Sequence, residues 1–267
     1  MKTIMKSNIW IFFIAVAMMS CSKSEDCDPN DEQSPCYSGI VQGNQLLLVE
    51  EKVNGVTDIS FLYNEENQIT TYRIHPKDGV GENIAVFTYN DKGNMISATH
   101  SHAGKHVYRE DYAYGTGDKP VSGTWTYPHG VVNLQFEYMN NMVLEKISAL
   151  NGQGHALNKY TFDSKGENLL RTELNTDGTL LSILEFSDFD DKHYRMTGFP
   201  WKWKTFSINN AKSQKLTGGG VAGTSISLDH IWKYTYNDSG YPTKAEIYDK
   251  ATNKLVETRE YIYKKAN

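Results

Sequence analysis

The stretch "KYTYNDSGYPTKAEIYD", Lys233 to Asp249, combines two features that decide the fold. A Tyr-x-Tyr pair is followed at once by Asn237-Asp238-Ser239-Gly240. This composition is typical of a tight turn, because Asn and Asp hydrogen-bond their own backbone and Gly accepts a positive φ. Side chains two residues apart lie on one face of a strand, so both tyrosine rings should share a face just before the chain reverses. The stretch therefore predicts a β-hairpin.

The aromatic pair recurs along the chain. The pairs are Phe61/Tyr63, Phe87/Tyr89, Tyr112/Tyr114, Phe136/Tyr138, Tyr160/Phe162, Tyr234/Tyr236 and Tyr261/Tyr263. The second members of the first five pairs are 26, 25, 24 and 24 residues apart, and the 74 residues from Phe162 to Tyr236 equal three such steps. A regular period of this kind is typical of repeat proteins. Each repeat is predicted to contain two antiparallel strands and two turns, stacked on its neighbours.

These motifs carry a family resemblance. The Tyr-[Asn/Asp]-x-x-Gly motif resembles the YD (Tyr-Asp) repeats of the RHS type, and residues 40–267 resemble secreted lipoproteins of unknown function from Bacteroidota. Phe186–Lys192 and Tyr234–Lys244 match two segments of that family. The resemblance implies repeats wound into a β shell, but it implies no activity and therefore no catalytic residues.

The predicted fold is all-β, with a single β-repeat domain over residues 39–267. We expect an antiparallel meander of tandem two-stranded repeats that forms a strongly twisted, curled sheet or a half-open barrel-like wrap, because the repeats are few. The period is interrupted at about residues 190–231, which predicts an irregular insertion. Irregular insertions on regular scaffolds often carry function.

The N-terminus has the pattern of an export signal. Lys2 and Lys6 precede the apolar run Ile9–Met19, which is too short to span a bilayer but is typical of a signal peptide over residues 1–20. Ser20-Cys21 resembles the lipobox of bacterial lipoproteins, which implies lipidation of Cys21 and attachment to a membrane. An ordinary cleaved signal with a chance cysteine is the alternative.

Residues 21–38 are polar and acidic and are predicted to form a flexible tether. Ser24-Glu25-Asp26 resembles the signal that exports Bacteroidota lipoproteins to the cell surface, although a merely solvated leader fits as well. The expected location is therefore the outer membrane, facing the periplasm or the cell surface.

Cys27 and Cys36 are candidates for a disulfide in the tether. Loss of Lys2 and Lys6 with the leader changes the net charge from −5 to −7, which argues against nucleic acid as a partner.

Two constellations are candidate sites. His100, His102 and His106 surround a predicted turn and are weak candidates for zinc or copper ligands, with a polar hairpin tip as the favoured alternative. Trp201 and Trp203 would share one face of an extended segment and could stack on sugar rings. The favoured alternative for this pair is that the two rings seal the open end of the sheet. No cofactor is predicted.

Three functions remain open on the sequence. The leading hypothesis is a non-enzymatic, lipid-anchored envelope protein that recognises a glycan or another protein. The alternative is a carrier that holds a small apolar ligand within the curved sheet. A hydrolase is the third, and no paired acid and base stands out to support it.

Overall fold

The fold is built from β-strands alone in the residues that the computed structural model describes, which are 45–76, 80–148, 155–196, 198–218 and 227–267. These residues belong to the unit Ile40–Asn267. The predicted signal peptide and tether, with Cys21, Cys27 and Cys36, lie outside the described residues.

Sixteen strands occur in these ranges. In chain order they are β1 (Leu46–Val53), β2 (Val56–Tyr63), β3 (Ile69–Ile74), β4 (Asn83–Tyr89), β5 (Met95–His102), β6 (Lys105–Tyr114), β7 (Pro120–Tyr127), β8 (Gly130–Met139), β9 (Met142–Ser148), β10 (His155–Phe162), β11 (Leu169–Thr176), β12 (Thr179–Phe189), β13 (Ala211–Gly218), β14 (Ser227–Tyr236), β15 (Pro242–Asp249) and β16 (Leu255–Lys265).

The sheet closes on itself. Each strand pairs antiparallel with its neighbours in the chain, and β1 pairs with β16, with Leu46 opposite Lys265 and Val53 opposite Arg259. The predicted all-β antiparallel meander is confirmed, but the predicted half-open wrap is wrong, because the sheet is a closed sixteen-stranded barrel. Closure pairs the two edges that an open sheet would leave with free N–H and C=O groups.

The irregular stretch is shorter than the interrupted period predicts. Two repeats, not three, lie between Phe162 and Tyr236, and residues 190–210 are inserted between β12 and β13. Within the predicted insertion of about 190–231, β13 is regular and β14 begins at Ser227. The sequence does not reveal β13, because polar Gln214 lies on the same strand face as Leu216. The strand therefore lacks a continuous apolar face.

The aromatic pairs line the barrel interior, as their spacing predicts. Among the first members, Phe61, Phe87, Tyr112, Phe136, Tyr160 and Tyr261 are all buried. Several second members add a hydrogen bond from the tyrosine hydroxyl to a carbonyl of the preceding strand. These bonds join Tyr63 to Leu48 (2.7 Å), Tyr89 to Ile69 (2.6 Å), Tyr114 to Met95 (2.6 Å), Tyr138 to Pro120 (2.7 Å) and Tyr263 to Pro242 (2.9 Å).

The hydroxyl contacts explain why the second position favours Tyr. Tyr63, Tyr89 and Tyr114 each sit where the register of their hairpin shifts, and such bulges leave backbone groups unpaired. A phenol can fill the core with its ring and satisfy a carbonyl with its hydroxyl. Burial raises the pKa of Tyr114 to about 12, so this hydroxyl remains a donor at neutral pH.

Turn chemistry follows the repeat. Gly93, Gly166 and Gly240 have φ of 74°, 75° and 76°, and Asn67 takes the same place with φ of 62°. In the stretch that opens the sequence analysis, Asn237 Oδ1 accepts hydrogen bonds from the backbone N–H groups of Ser239 (3.1 Å) and Tyr241 (3.0 Å). This local bonding turns the chain immediately after the aromatic pair.

Candidate functional site

Part of the insertion of residues 190–210 lies inside the barrel, whereas Asp191 and Lys192 near its start are exposed. Trp203 is buried, with its ring centroid 5.0 Å from that of Tyr112 on β6, and Trp201 meets Phe87 on β4 at 5.1 Å. A barrel of sixteen strands is normally too wide for its own side chains to fill. The insertion supplies the missing core, and we call it the plug.

Three inward-facing glutamates receive the polar groups of the plug. The first is Glu145 on β9, which is fully buried. Lys204 of the plug donates from Nζ to Glu145 Oε1 at 2.6 Å, while Asn158 and Tyr160 on β10 donate to Oε2 at 2.8 Å each. Burial and this carboxylate raise the pKa of the Tyr160 hydroxyl, which therefore stays a donor.

The second glutamate is Glu110 on β6. Trp201 Nε1 of the plug and the Tyr112 hydroxyl donate to Glu110 Oε2 at 2.8 Å and 2.5 Å, and His100 Nε2 lies 3.1 Å from Oε1. Burial by itself would raise the pKa of Glu110, but the neighbouring His100 ring and the hydrogen bond from Tyr112 lower it below its usual value. The carboxylate is thus ionised at neutral pH and anchors the plug tryptophan.

The third glutamate is Glu51 on β1, whose side chain is fully buried. Arg259 on β16 binds its Oε1 through Nη1, and Arg195 of the plug lies with Nε 3.5 Å from Oε2. Burial would lower the pKa of Arg195, but Tyr194 and Glu51 raise it well above the usual value, so the guanidinium stays charged. Glu51 therefore links the closing seam of the barrel to the plug.

The tryptophan pair has a different environment from the one that sugar stacking requires. Trp203 is only 4% exposed, and Trp201 is held against Glu110 and Phe87. Residues 201–204 form a turn, so the segment is not extended as predicted. The candidate stacking role does not fit Trp203, which is buried. The favoured alternative of rings that close the sheet is nearer, although the sheet is a closed barrel with no open end to seal.

The three histidines do not come together. His100 stacks on Tyr108 with centroids 4.2 Å apart, His102 Nδ1 contacts Asn83 Oδ1 at 3.0 Å, and His106 lies opposite Ser101 in the β5–β6 register. His100 contacts the buried Glu110, whereas His102 and His106 are exposed. Among the described residues, no group of three or more His, Cys, Asp or Glu side chains could hold a metal ion.

A groove of about 1110 Å³ lies on the outer wall across β6–β11. Each of the six strands contributes two residues of the same outward face. These pairs are Asp111/Ala113, Ser122/Thr124, Asn133/Gln135, Lys146/Ser148, Leu157/Lys159 and Glu173/Asn175. Their chain neighbours Tyr112 and Leu134 are buried in the core, which fixes the groove on the opposite side of the sheet.

Sequence reasoning missed both the glutamates and the groove. One signal was present: Glu110 lies two residues before Tyr112, and Glu145 lies two residues after Val143, so each shares a face with a core residue. A charged residue at an inward position is rarely buried without a partner. No local sequence pattern predicts the groove, because its residues come from six strands.

Comparisons with known proteins identify no family. No family model matches the chain, and no curated protein matches it significantly. Several solved structures are similar, among them two porin-like proteins. One is a porin-like protein from Bacteroides vulgatus ATCC 8482, with 10% identity over 82% of this chain and 99% of that chain and a TM-score of 0.45. The other is a porin-like protein from Bacteroides uniformis ATCC 8492, with 14% identity over 82% and 94% of the two chains and a TM-score of 0.47.

In the described parts of the chain, no helix is both long enough and apolar enough to cross a membrane.

Proposed function

We propose that the protein is a non-enzymatic glycan-binding protein of the cell envelope, held at the outer membrane by lipid on Cys21. The barrel stands in water, the plug keeps it rigid, and the groove across β6–β11 receives the ligand. The observation that carries this proposal is the row of polar outward side chains along the groove. The relationship to YD-repeat lipoproteins of Bacteroidota remains a prediction.

The outer wall supports a barrel in water. Ion pairs lie along its strands, including Arg109–Asp111 at 2.8 Å on β6, Arg171–Glu185 at 2.8 Å between β11 and β12, and Lys244–Glu246 at 2.9 Å on β15. A membrane-spanning barrel presents an apolar band there, and each Arg or Lys near the bilayer midplane costs about 2–4 kcal/mol. A lipid anchor would hold such a barrel at the membrane without inserting it.

The groove fits a polar, extended ligand. Among the described residues, the side-chain amides of Asn133, Gln135 and Asn175 make no hydrogen bond to other protein groups, so their donors and acceptors are free. Sugar hydroxyls both donate and accept, which matches amide and hydroxyl side chains. Lys159 and Glu173 form an ion pair at 3.4 Å on the groove floor and add charged hydrogen-bonding groups.

The test is retention of the protein in native gels that contain polysaccharide. Replacing Asn133 and Gln135 with Ala should weaken retention roughly tenfold, because two hydrogen bonds of ordinary strength are lost. The matched control replaces Thr217 and Thr235, exposed residues on β13 and β14, with Ala and should change nothing. Equal retention of the groove variant and the control variant would contradict the proposal, and so would capture of a protein partner with no retention by any polysaccharide.

A further inference from the structure

A second cavity lies inside the barrel, between the plug and residues of β11–β14 and β16. Its volume is about 330 Å³, at the lower end of the range for small-molecule pockets. The plug contributes Tyr194, Arg195, Thr205, Ser207 and Asn209 to the lining, and the strands contribute the rest. This cavity is separate from the outer groove, which shares none of its residues.

Part of the cavity lining is cationic. Arg195 and Arg259 both line it, whereas no described carboxylate does. The carboxylates that balance these charges are not among the lining residues: Glu51 contacts both arginines, and Glu257 contacts Arg259 Nε at 2.6 Å. Each arginine is therefore fixed by a carboxylate and lies beside the cavity.

A buried donor lies beside Arg259. Trp232 is 8% exposed and lines the cavity, and its Nε1–H finds no acceptor among the described residues. The Arg259 guanidinium lies over the Trp232 ring, 5.2 Å from its centroid, so the indole and the cation form one surface. A buried donor without a partner is costly unless a ligand or water satisfies it.

Another part of the lining is apolar. Leu169, Leu184, Phe186 and Phe189 line the cavity, and they offer no hydrogen-bonding side chain. From these features we infer that the lumen binds a small amphipathic carboxylate, such as a medium-chain fatty acid, with its anionic head at Arg195, Arg259 and Trp232 and its apolar body against the leucine and phenylalanine side chains. This ligand differs in class from the glycan proposed for the outer groove.

The direct test is calorimetric titration of the folded mature domain with decanoate and with decan-1-ol. The two probes share an apolar chain and differ in the head group. Decanoate should bind at least roughly tenfold more tightly, because its charged head meets two guanidiniums. No detectable decanoate binding, or equal affinity for both probes, would overturn the inference, and neither result needs a variant that could misfold.

Variants then locate the site. Arg195→Met should weaken decanoate binding roughly tenfold or more, while Glu51 keeps Arg259 as its partner. Arg171→Met on the outer wall, where the guanidinium also meets carboxylates, is the matched control and should bind decanoate normally. Leu184→Trp should block decanoate by filling the cavity, and polysaccharide retention should survive. Unchanged decanoate affinity in both cavity variants would place the ligand elsewhere and refute the assignment.

Discussion

Removal of the Lys204 ammonium group tests whether the plug is seated on the wall. Its partner Glu145 is fully buried, and the Lys204 side chain is 11% exposed. In Lys204→Met the carboxylate keeps the hydrogen bonds from Asn158 and Tyr160 but loses its compensating charge. Breaking a buried pair from one side costs about 3–5 kcal/mol, because an unpaired charge remains in the core. For a domain of this size, that corresponds to a fall in Tm of roughly 6–20 °C.

A double-mutant cycle separates the pair from simple loss of packing. Glu145→Gln alone should also be strongly destabilising, since it leaves Lys204 buried without an anion. The double variant should lose much less free energy of unfolding than the two single variants lose together, and this difference is a large coupling energy. The assay is urea unfolding followed by tryptophan fluorescence, because Trp203 of the plug reports its own environment.

The matched control is the pair Lys146–Glu137, on the outer face of β8 and β9. Its side chains are 47% and 49% exposed, so the same cycle should give a coupling of only about 0.2–1 kcal/mol. If Lys204→Met cost no more than Lys146→Met, the plug would not be anchored at Glu145. The account of a filled lumen would then fail.

Three further predictions concern pH, packing and anchoring. The pKa of Glu110 is lower in the folded state than its ordinary value of 4.5, so its contribution to stability is present above that value and is lost as the pH falls through the folded pKa. Glu110→Gln should therefore show a shallower loss of stability below about pH 4.5 than the natural chain in acid titrations of the unfolding free energy, and an identical slope would contradict the pairing. Gly123→Ala should destabilise by about 1–3 kcal/mol, because the added Cβ would lie 2.7 Å from the Asp111 carbonyl oxygen, whereas Gly117→Ala, with open space around it, should be nearly neutral in thermal melts. Cys21→Ser should move the protein from the membrane fraction to the soluble fraction without detergent, and a variant that still needs detergent would refute the proposed lipid anchor.

The repeat was predictable because its cause is local. Rings two residues apart must share a face of a strand, and Asn-x-x-Gly must turn, so the pair Tyr234/Tyr236 and its turn determine a hairpin wherever they occur. Closure was not predictable in the same way. Closure requires β1 to pair with β16, which lies more than two hundred residues away, and β1 has no aromatic pair. The repeat motif determines how consecutive strands pair. It does not determine whether the last strand pairs with the first.

The candidate sites escaped prediction for related reasons. The position of Trp203 depends on Tyr112 and Phe136, which lie far away in sequence. The sequence around Trp203 alternates aromatic and basic residues and therefore resembles an exposed strand. Its actual conformation is a turn inside the barrel, where Lys204 meets Glu145. To predict the lumen, each inward-facing glutamate of the wall would have to be paired with a basic residue or tryptophan of the plug that lies far away in the sequence.

Disulfide trapping across the β1–β16 seam tests the closed barrel most directly. Glu260 lies opposite Lys52 across the seam and opposite Lys244 within the β15–β16 hairpin, so one position serves both test and control. In a chain whose natural cysteines are replaced by serine, Lys52→Cys with Glu260→Cys should form a bridge as completely as Lys244→Cys with Glu260→Cys, because facing Cα atoms lie within disulfide range. A bridge in the hairpin pair without one across the seam would show an open sheet and contradict the account.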